Sequence, residues 1–456
     1  MEEAFTLVSQ QNTRELAELR SELGLELAAE RKELPGEAAE RGKVEKLMTW
    51  LQAAGADFPH LSIRYCAVDS RAVHSAAYLP AHSQVLYVPR THLVTLQMAC
   101  TSPIGKALAA ASLRSPKHSL LAAFLLYEDS NPHSFWRPFL DLLPQRFESY
   151  PTNYSEAELK LLQNSPFLSL ISEKIIAIET DYKFICGLEP DFEQFSLSDF
   201  TRMRHILSSR TFAMTIDGEA TDGLVPFADM LNHKRPQRTT WRYDSVANGF
   251  VVQTLEEIGR GEEVQVSYGR KSNYRFLLSY GFLVDCNETL EYPLEVTLDP
   301  ADPLDMEKRG LTPKLPLPYR LLLVPDLRER STQEAFSILR FLCCSDFPLL
   351  SRLSQETANF PFSLPPLSRD NEILVLERLL SLATTHLQGY PSTLTDLLAQ
   401  SENCRNIALI LKGDIEVLVW FKGLSEAALV CFQTHSLPSE SRYAAYLQAV
   451  VLPLLS

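Results

Sequence analysis

The chain has 456 residues, which at roughly 150 residues per domain suggests two or three domains. Apolar residues make up 45% of it and charged residues 22%, a composition typical of globular rather than disordered proteins. The 57 acidic and 43 basic residues give a formal net charge of −14. This balance argues against a nucleic-acid partner, which needs clustered lysine and arginine, and favours a basic protein partner or a lysine-bearing substrate.

The sequence also argues against membrane, secreted and zinc-binding classes. No apolar run approaches the ~18–20 residues that a membrane span requires. The acidic start, Met1-Glu2-Glu3, lacks the basic and apolar regions of a secretory signal. The eight cysteines are scattered and form no C-x-x-C pair, so we expect no metal site. Scattered thiols of this kind predict an intracellular protein, in the cytoplasm or the nucleus.

Hydrophobic periodicity predicts alternating helical and β-rich regions along the chain. Residues 1–50 are helical in character, and a helix over 45–54 ends at Gly55. The apolar run 85–88, closed by Pro89, indicates a strand. The full predicted order is strands over 60–95, helices over 103–205, short strands over 211–295 with turns at 217–218, 248–249 and 259–261, a proline-dense linker over 293–325, and helices from about 332 onward.

Generic catalytic motifs do not identify an activity. The sequence contains no G-x-x-x-x-G-K-[ST], G-x-G-x-x-G, G-x-S-x-G or H-E-x-x-H pattern. The ten histidines are spread widely, and no pair has the spacing of metal ligands on one helix face.

Residues 222–287 carry the most informative pattern. Each piece alone is weak, because an Asn-His pair usually caps a turn and a tyrosine at a strand end is usually a packing residue. Their order and spacing are what make the set specific. The pieces are Asp229-Met230-Leu231-Asn232-His233, then Gly261-Glu262-Glu263 running to Tyr268-Gly269, then Lys271-Ser272-Asn273, and finally Tyr280-Gly281-Phe282.

This ordered set resembles the SET-domain protein methyltransferases, in the group of the Rubisco large-subunit methyltransferase and the actin-histidine methyltransferases. The resemblance extends to residues 47–56, 134–144 and 369–420. It implies an α+β fold: a SET fold of short, mostly antiparallel sheets with a helical insert, followed by an all-α C-terminal domain. The implied division is an N-terminal helical extension over 1–44, a SET domain over 45–295 with its insert at about 103–205, a helical substrate-binding domain over 320–430, and a C-terminal tail over 431–456.

The resemblance also implies a cofactor, S-adenosyl-L-methionine, and a protein substrate that binds through the C-terminal helical domain. Tyr268 matches the family's catalytic tyrosine, whose hydroxyl orients the acceptor amine. Arg210 matches the arginine that faces the donor's carboxylate, a role suited to a charge-assisted pair. The implied cofactor-binding residues are Ser70, Arg71, Ala72, Arg210, Asp229, Asn232, His233, Tyr280, Gly281 and Phe282, and the implied substrate-binding residues are Phe212, Ala228, Tyr268 and Tyr280.

The chain departs from the family where a Gly-x-Gly turn is expected. Ser70-Arg71-Ala72 stands there, so both glycines are replaced. A positive φ at either replaced position would cost about 1–2 kcal/mol. Weakened donor binding would leave a binding protein on a SET scaffold with little or no catalysis, which is one alternative to a methyltransferase.

Two positions bear on the acceptor residue. In the actin-histidine branch an asparagine follows the donor-facing arginine by two places, and a tryptophan precedes the aspartate. Here these positions hold Phe212 and Ala228. Phe212 cannot hydrogen-bond an imidazole, and Ala228 leaves room for a longer, thinner side chain, so lysine is favoured over histidine. Protein-histidine methylation remains the other alternative, because both substitutions are also ordinary in a protein core.

Overall fold

The computed structural model describes residues 37–67, 70–110, 117–435 and 442–455. The predicted helical character of residues 1–36 therefore lies outside the described residues. The chain divides into two compact units. Unit 1 takes in the described residues of 1–106, 123–144 and 210–267, and unit 2 takes in those of 107–122, 145–209 and 268–456.

Unit 1 is built around short antiparallel sheets, as predicted. Its strands form the sheets β1-β2, β3-β8-β7 and β4-β6-β5. The strands are β1 Leu61–Ala67, β2 Ser70–Ser75, β3 Gln84–Pro89, β4 Val94–Thr95, β5 Thr211–Ile216, β6 Glu219–Leu224, β7 Thr239–Asp244 and β8 Gly249–Thr254. The helices that begin in this unit or belong to it are α1 Glu37–Ala53, α2 Leu96–Thr101, α3 Pro103–Ala110 and α5 Arg137–Leu140.

Local sequence explains the hairpins of unit 1. In β5 the alternate residues Phe212, Met214 and Ile216 are buried, which is the period-2 pattern of a half-buried strand. The predicted turn at Asp217-Gly218 joins β5 to β6, with φ of 54° and 84°. Aspartate and glycine tolerate this left-handed conformation, so the two strands pair without strain.

Unit 2 is mainly helical, in agreement with the predicted fold class. Its helices are α4 Lys117–Ser130, α6 Glu156–Leu161, α7 Phe167–Leu188, α8 Leu197–Arg210, α9 Asn273–Tyr280, α10 Asp305–Leu311, α11 Arg330–Cys343, α12 Phe347–Glu356, α13 Arg369–Gln388, α14 Thr395–Leu398, α15 Glu402–Thr434 and α16 Ala444–Tyr446. Helix α4 continues into unit 1. The strands of unit 2 are β9 Tyr292–Val296 and β10 Tyr319–Leu323.

The predicted proline-dense linker over 293–325 is wrong. Strands β9 and β10 lie in that stretch and pair antiparallel, with Leu294 opposite Leu321. Alternate residues of both strands are buried, so the period-2 apolar pattern outweighs the prolines. Pro293 is accommodated because a two-stranded sheet consists of edge strands alone.

The described residues of unit 2 share a large hydrophobic core. The 33-residue helix α15 supplies much of it, including Val417, Leu418 and Phe421. Residues of the predicted C-terminal tail join this core through Tyr446 and Val451. Among the described helices, none combines the length and apolarity needed to cross a bilayer.

A buried carboxylate ties several elements of unit 2 together. Asp414 of α15 accepts hydrogen bonds from Ser165 Oγ at 2.6 Å, Tyr390 Oη at 3.0 Å and the hydroxyl of Tyr274 in α9. The Asp414 residue is 0% exposed. Burial raises its pKa to about 7, although the three hydroxyl donors oppose that shift.

This raised pKa predicts a pH dependence of stability. The folded state favours the protonated acid, whereas an unfolded aspartate ionises near ~3.9. Asp414 therefore stabilises the fold fully below about pH 4, and this contribution is lost as the pH rises towards about 7. We expect Asp414→Asn to gain stability relative to the native chain across this window, measured as the difference in thermal midpoints at each pH. The exposed Asp396→Asn is the control, and a difference that stays constant from pH 4 to pH 7 would contradict the prediction.

Candidate functional site

The loop after β6 turns sharply to bury Asp229. Phe227 has a φ of 74°, a left-handed conformation that is strained for a bulky residue. Its ring stacks on Phe58 with centroids 4.6 Å apart, and both residues are buried. Strained backbone of this kind persists only where the surroundings hold it, and it is often found at functional sites. The turn leads into the single 3₁₀ turn Ala228–Met230, which carries Asp229.

Asp229 forms a largely buried ion pair with Arg210, the last residue of α8. Arg210 Nη1 lies 3.0 Å from Asp229 Oδ2 and also donates to the Asp229 carbonyl oxygen at 2.9 Å. The Asp229 side chain is only 2% exposed. Burial raises the pKa of Asp229, while Arg210 and Arg71 oppose that shift. Arg210 is the residue predicted to face the donor's carboxylate, and that role stays a prediction.

Arg71 brings a second guanidinium to the same group. Its Nη2 donates to the Leu142 carbonyl oxygen at 2.8 Å, and its Nη1 lies 3.8 Å from Glu40 Oε2. Burial lowers the pKa of Arg71, and the positive charge of Arg210 adds to this effect. Two guanidiniums are thus held close together beside two carboxylates, those of Asp229 and Glu40, in a partly desolvated place.

Three buried polar atoms of this group have no hydrogen-bond partner in the described structure: Arg71 Nη1, Arg210 Nε and Asp229 Oδ1. Buried polar groups are normally paired, so unpaired ones call for an explanation such as a ligand. Two N–H donors and one carboxylate oxygen suit a zwitterionic amino acid, with its carboxylate on the arginines and its ammonium on Asp229. S-adenosyl-L-methionine carries such a group at its methionyl end, so these residues fit that cofactor.

The replaced glycines do not impose strain at Ala72. This residue lies within β2, is 3% exposed, and does not have a positive φ. Its Cβ is therefore accommodated in extended backbone. Ser70 begins the same strand, but its side chain lies outside the described residues.

The side chain of Asn232 is held in one orientation by Glu263, a motif residue with no predicted role. Its Nδ2 donates to Glu263 Oε1 at 2.8 Å and to the Arg71 carbonyl oxygen at 3.3 Å. The amide nitrogen is thereby engaged within the protein, and the amide oxygen is left as the acceptor that a ligand can use. Glu263 belongs to the Gly261-Glu262-Glu263 motif, and its place in that motif is the sequence signal that could have identified its role.

The backbone around Asn232 and His233 is fixed as well. The Val266 amide donates to the Asn232 carbonyl oxygen at 2.9 Å, and the Lys234 amide donates to the Val266 carbonyl oxygen at 3.1 Å. His233 and Val266 thus form a parallel bridge. Unit 1 therefore brings Arg71, Arg210, Asp229 and Asn232 into one connected group.

Unit 2 contains an aromatic cluster formed by Tyr268, Phe276, Tyr280 and Phe282. The Tyr268 and Tyr280 rings are stacked, with centroids 4.9 Å apart and planes 16° apart. Phe282 lies 6.3 Å from Tyr268 and 6.1 Å from Tyr280, edge-on to both. Burial raises the pKa of Tyr280, so its hydroxyl stays neutral. Stacked aromatic rings of this kind can stabilise a cationic or methylated amine.

Gly281 has a structural reason to be glycine. It ends α9 with a φ of 74°, and an added Cβ would lie 2.4 Å from the Tyr150 ring. The predicted cofactor-binding role of Gly281 thus coincides with a position that only glycine fits.

Phe212 and Ala228, the predicted substrate-binding positions of unit 1, are both buried. The Phe212 ring packs edge-on against Trp241 and Phe250, at 5.2 Å and 4.9 Å. This surrounding is that of an apolar core residue. It agrees with the alternative that Phe212 is an ordinary core substitution, and its role towards a substrate stays a prediction.

Comparison with known proteins confirms the fold and the resemblance. Residues 299–416 match the family model described as Rubisco LSMT substrate-binding. The structure of the SET domain of LSMT bound to lysine and AdoHcy matches with a TM-score of 0.72 over 90% of this chain and 99% of that one, at 20% identity. Rubisco LSMT bound to AdoMet matches with a TM-score of 0.69 over 90% and 96%, also at 20% identity. The chain therefore has the SET fold, with short antiparallel sheets and a C-terminal helical region.

Among sequence relatives, the chain is similar to actin-histidine N-methyltransferases. It is 24% identical to the Gallus gallus protein over 369 residues and 23% identical to the Homo sapiens protein over 368 residues. In both cases the match covers 77% of this chain and 62% of the relative, so the chain spans less than two thirds of the length of these relatives. In sequence and in fold it resembles the SET-domain methyltransferases of the Rubisco large-subunit and actin-histidine type.

Proposed function

We propose that the chain is an S-adenosyl-L-methionine-dependent protein N-methyltransferase. The observation that carries the proposal is the buried group of Arg71, Arg210 and Asp229, whose unpaired atoms match a zwitterionic amino acid. Its residues coincide with the donor-binding positions of the motif set. The named relatives and the solved neighbours support the same class of reaction.

In this proposal unit 1 binds the donor. Arg210 and Arg71 pair with its carboxylate through charge-assisted hydrogen bonds, and Asp229 Oδ1 accepts from its ammonium. Asn232, held by Glu263, presents its amide oxygen, and His233 follows it on the fixed backbone segment. Ser70 and Ala72 flank Arg71 on β2. When bound, the cofactor supplies a methyl group on a sulfonium, which is an activated leaving group.

The acceptor in this proposal meets the aromatic cluster of unit 2. Tyr268 orients the attacking amine by its hydroxyl, and Tyr280 and Phe282 provide ring faces for a nitrogen that becomes cationic as it gains the methyl group. The free side chain of lysine has a pKa near ~10.4, so it must lose a proton to react. An apolar surrounding favours the neutral amine. Holding the acceptor amine in a fixed orientation lowers the entropic barrier to transfer.

We propose lysine as the acceptor residue. Phe212 and Ala228 replace the asparagine and tryptophan of the actin-histidine branch. Histidine is the second candidate, because the named relatives are actin-histidine N-methyltransferases. We further propose that a protein substrate binds through the helical domain matched at 299–416. The seven described cysteines are free thiols, which agrees with a site of action inside the cell, in the cytoplasm or nucleus.

The test is transfer of an isotopically labelled methyl group from S-adenosyl-L-methionine to purified actin and to arrays of lysine-centred and histidine-centred peptides. Mass spectrometry of the labelled peptides locates the methyl group. Label on a lysine amine supports the proposal, and label on an imidazole supports the second candidate. Donor binding without transfer to any of these acceptors would favour a binding protein on a SET scaffold.

Arg71→Met tests the donor site specifically. Removing one charged donor is expected to weaken S-adenosyl-L-methionine binding by roughly 10- to 100-fold, because a hydrogen bond to a charged group contributes about 1.5–3 kcal/mol. Calorimetric titration measures the change, with thermal unfolding as a check that the variant is folded. Arg64→Met, at an exposed position on the neighbouring strand β1, is the matched control. Equal affinity of the Arg71→Met variant and the native chain would contradict the assignment.

A further inference from the structure

Lys271 contacts both tyrosines of the aromatic cluster, although its motif carries no assigned role. The Lys271 ammonium donates a hydrogen bond to the carbonyl oxygen of Tyr268. The same Nζ lies 6.0 Å from the centroid of the Tyr280 ring. Because the Tyr268 and Tyr280 rings are stacked on each other, one side chain contacts the backbone of one stacked tyrosine and the ring of the other.

The turn between Tyr268 and Lys271 is shaped to allow this contact. Gly269 has a φ of 95°, which turns the chain back, and an added Cβ there would lie 3.2 Å from Lys271 Nζ. The small glycine therefore leaves the space that the ammonium occupies.

The backbone of Lys271 is anchored at its other end. Asn287 Nδ2 donates to the Lys271 carbonyl oxygen at 2.9 Å and to Asn273 Oδ1 at 3.0 Å. Ser272 caps α9 by accepting a hydrogen bond from the Arg275 amide. Lys271 thus links a fixed helix start to the carbonyl of Tyr268.

We propose that Lys271 is a positioning residue, which holds the Tyr268 backbone and the Tyr268–Tyr280 stack in the geometry that methyl transfer needs. This inference rests on the proposed function, because Tyr268 has its chemical role only there. Lys271 acts through Tyr268 and is not itself assigned a contact with donor or acceptor. Misplacement of a catalytic group by about 1 Å can lower the rate roughly 10²-fold. Loss of the Lys271 contact is therefore expected to have a measurable effect on the rate of methyl transfer.

The first experiment follows Tyr268 directly and needs no substrate. The full chain is labelled with 3-fluorotyrosine, and the fluorine resonance of Tyr268 is assigned by its absence in Tyr268→Phe. Lys271→Met, which keeps the side-chain length but removes the donor and the charge, is expected to shift and broaden this resonance. Lys412→Met, at an exposed lysine of α15 in the same unit, is expected to leave it unchanged. An unchanged Tyr268 resonance in Lys271→Met would overturn the inference.

The second experiment separates positioning from a general loss of structure. Lys271→Met is expected to transfer methyl groups to the acceptor peptides about 10- to 100-fold more slowly, with its calorimetric affinity for S-adenosyl-L-methionine within a factor of about two of the native value. Lys271→Arg keeps a donor and a cation and is expected to recover most of the rate. A Lys271→Arg variant as slow as Lys271→Met, with lowered thermal midpoints in both, would overturn the inference in favour of a structural role. A native chain that binds no donor would overturn the proposed function, whereas the fluorine result would still report on the contact.

Discussion

Glu372→Ala is expected to destabilise unit 2 by about 3–5 kcal/mol, the usual cost of leaving one partner of a buried ion pair unpaired. Glu372 is 0% exposed and pairs bidentately with Arg340, at 2.8 Å to Nε and 2.9 Å to Nη2. It also accepts a hydrogen bond from the Tyr446 hydroxyl. The substitution therefore breaks contacts among α11, α13 and α16 at once.

Denaturant unfolding measures this effect, and two further variants define it. Glu334→Ala removes a surface pair with Arg330 and is expected to change stability by less than ~1 kcal/mol. The double variant Arg340→Met with Glu372→Leu is expected to be more stable than Glu372→Ala, because it leaves no buried charge unpaired. A Glu372→Ala variant as stable as Glu334→Ala would show that the guanidinium finds other partners.

Tyr268→Phe is expected to lower methyl transfer by roughly 10²-fold while donor affinity stays nearly the same. The substitution removes one hydroxyl and keeps the ring, so the stack on Tyr280 persists. The expected loss therefore falls on orientation of the acceptor amine. Initial rates with the labelled donor and the acceptor peptides provide the measurement.

Tyr182→Phe is the matched control for Tyr268→Phe. It also removes a tyrosine hydroxyl from unit 2, one that donates to the Phe195 carbonyl oxygen at 2.7 Å. It is expected to transfer at the native rate. Full transfer by Tyr268→Phe on a confirmed acceptor would remove Tyr268 from the catalytic role.

Local patterns in the sequence were sufficient to predict the class of fold. The Asp217-Gly218 turn was predictable because its residue types tolerate positive φ, and strand β3 was predictable from an apolar run closed by Pro89. The linker prediction failed because proline density was weighed above the buried alternation of β9 and β10. The alternation of apolar residues along a strand indicates that one face of the strand is buried. This burial determined the structure of β9 and β10.

Pairings between distant residues were not accessible to periodicity. Ser165 and Asp414 are 249 residues apart in the sequence, and no pattern in either segment predicts the hydrogen bond between them. The ion pair of Arg210 with Asp229 is nearer, at 19 residues, yet the burial of Asp229 depends on the strained turn at Phe227. The motif positions predicted the candidate site residues. The contacts of Glu263 and Lys271 follow from the three-dimensional structure alone.

The most direct test of the proposed function is calorimetric titration of the full chain with S-adenosyl-L-methionine, with Asn232→Ala as the comparison. Asn232 is exposed, so its loss is expected to affect the ligand more than the fold. We predict micromolar binding by the native chain, about −8 kcal/mol, and its loss in Asn232→Ala. No heat at millimolar donor would contradict the donor site assigned to Arg71, Arg210, Asp229 and Asn232, and with it the proposed methyltransferase activity.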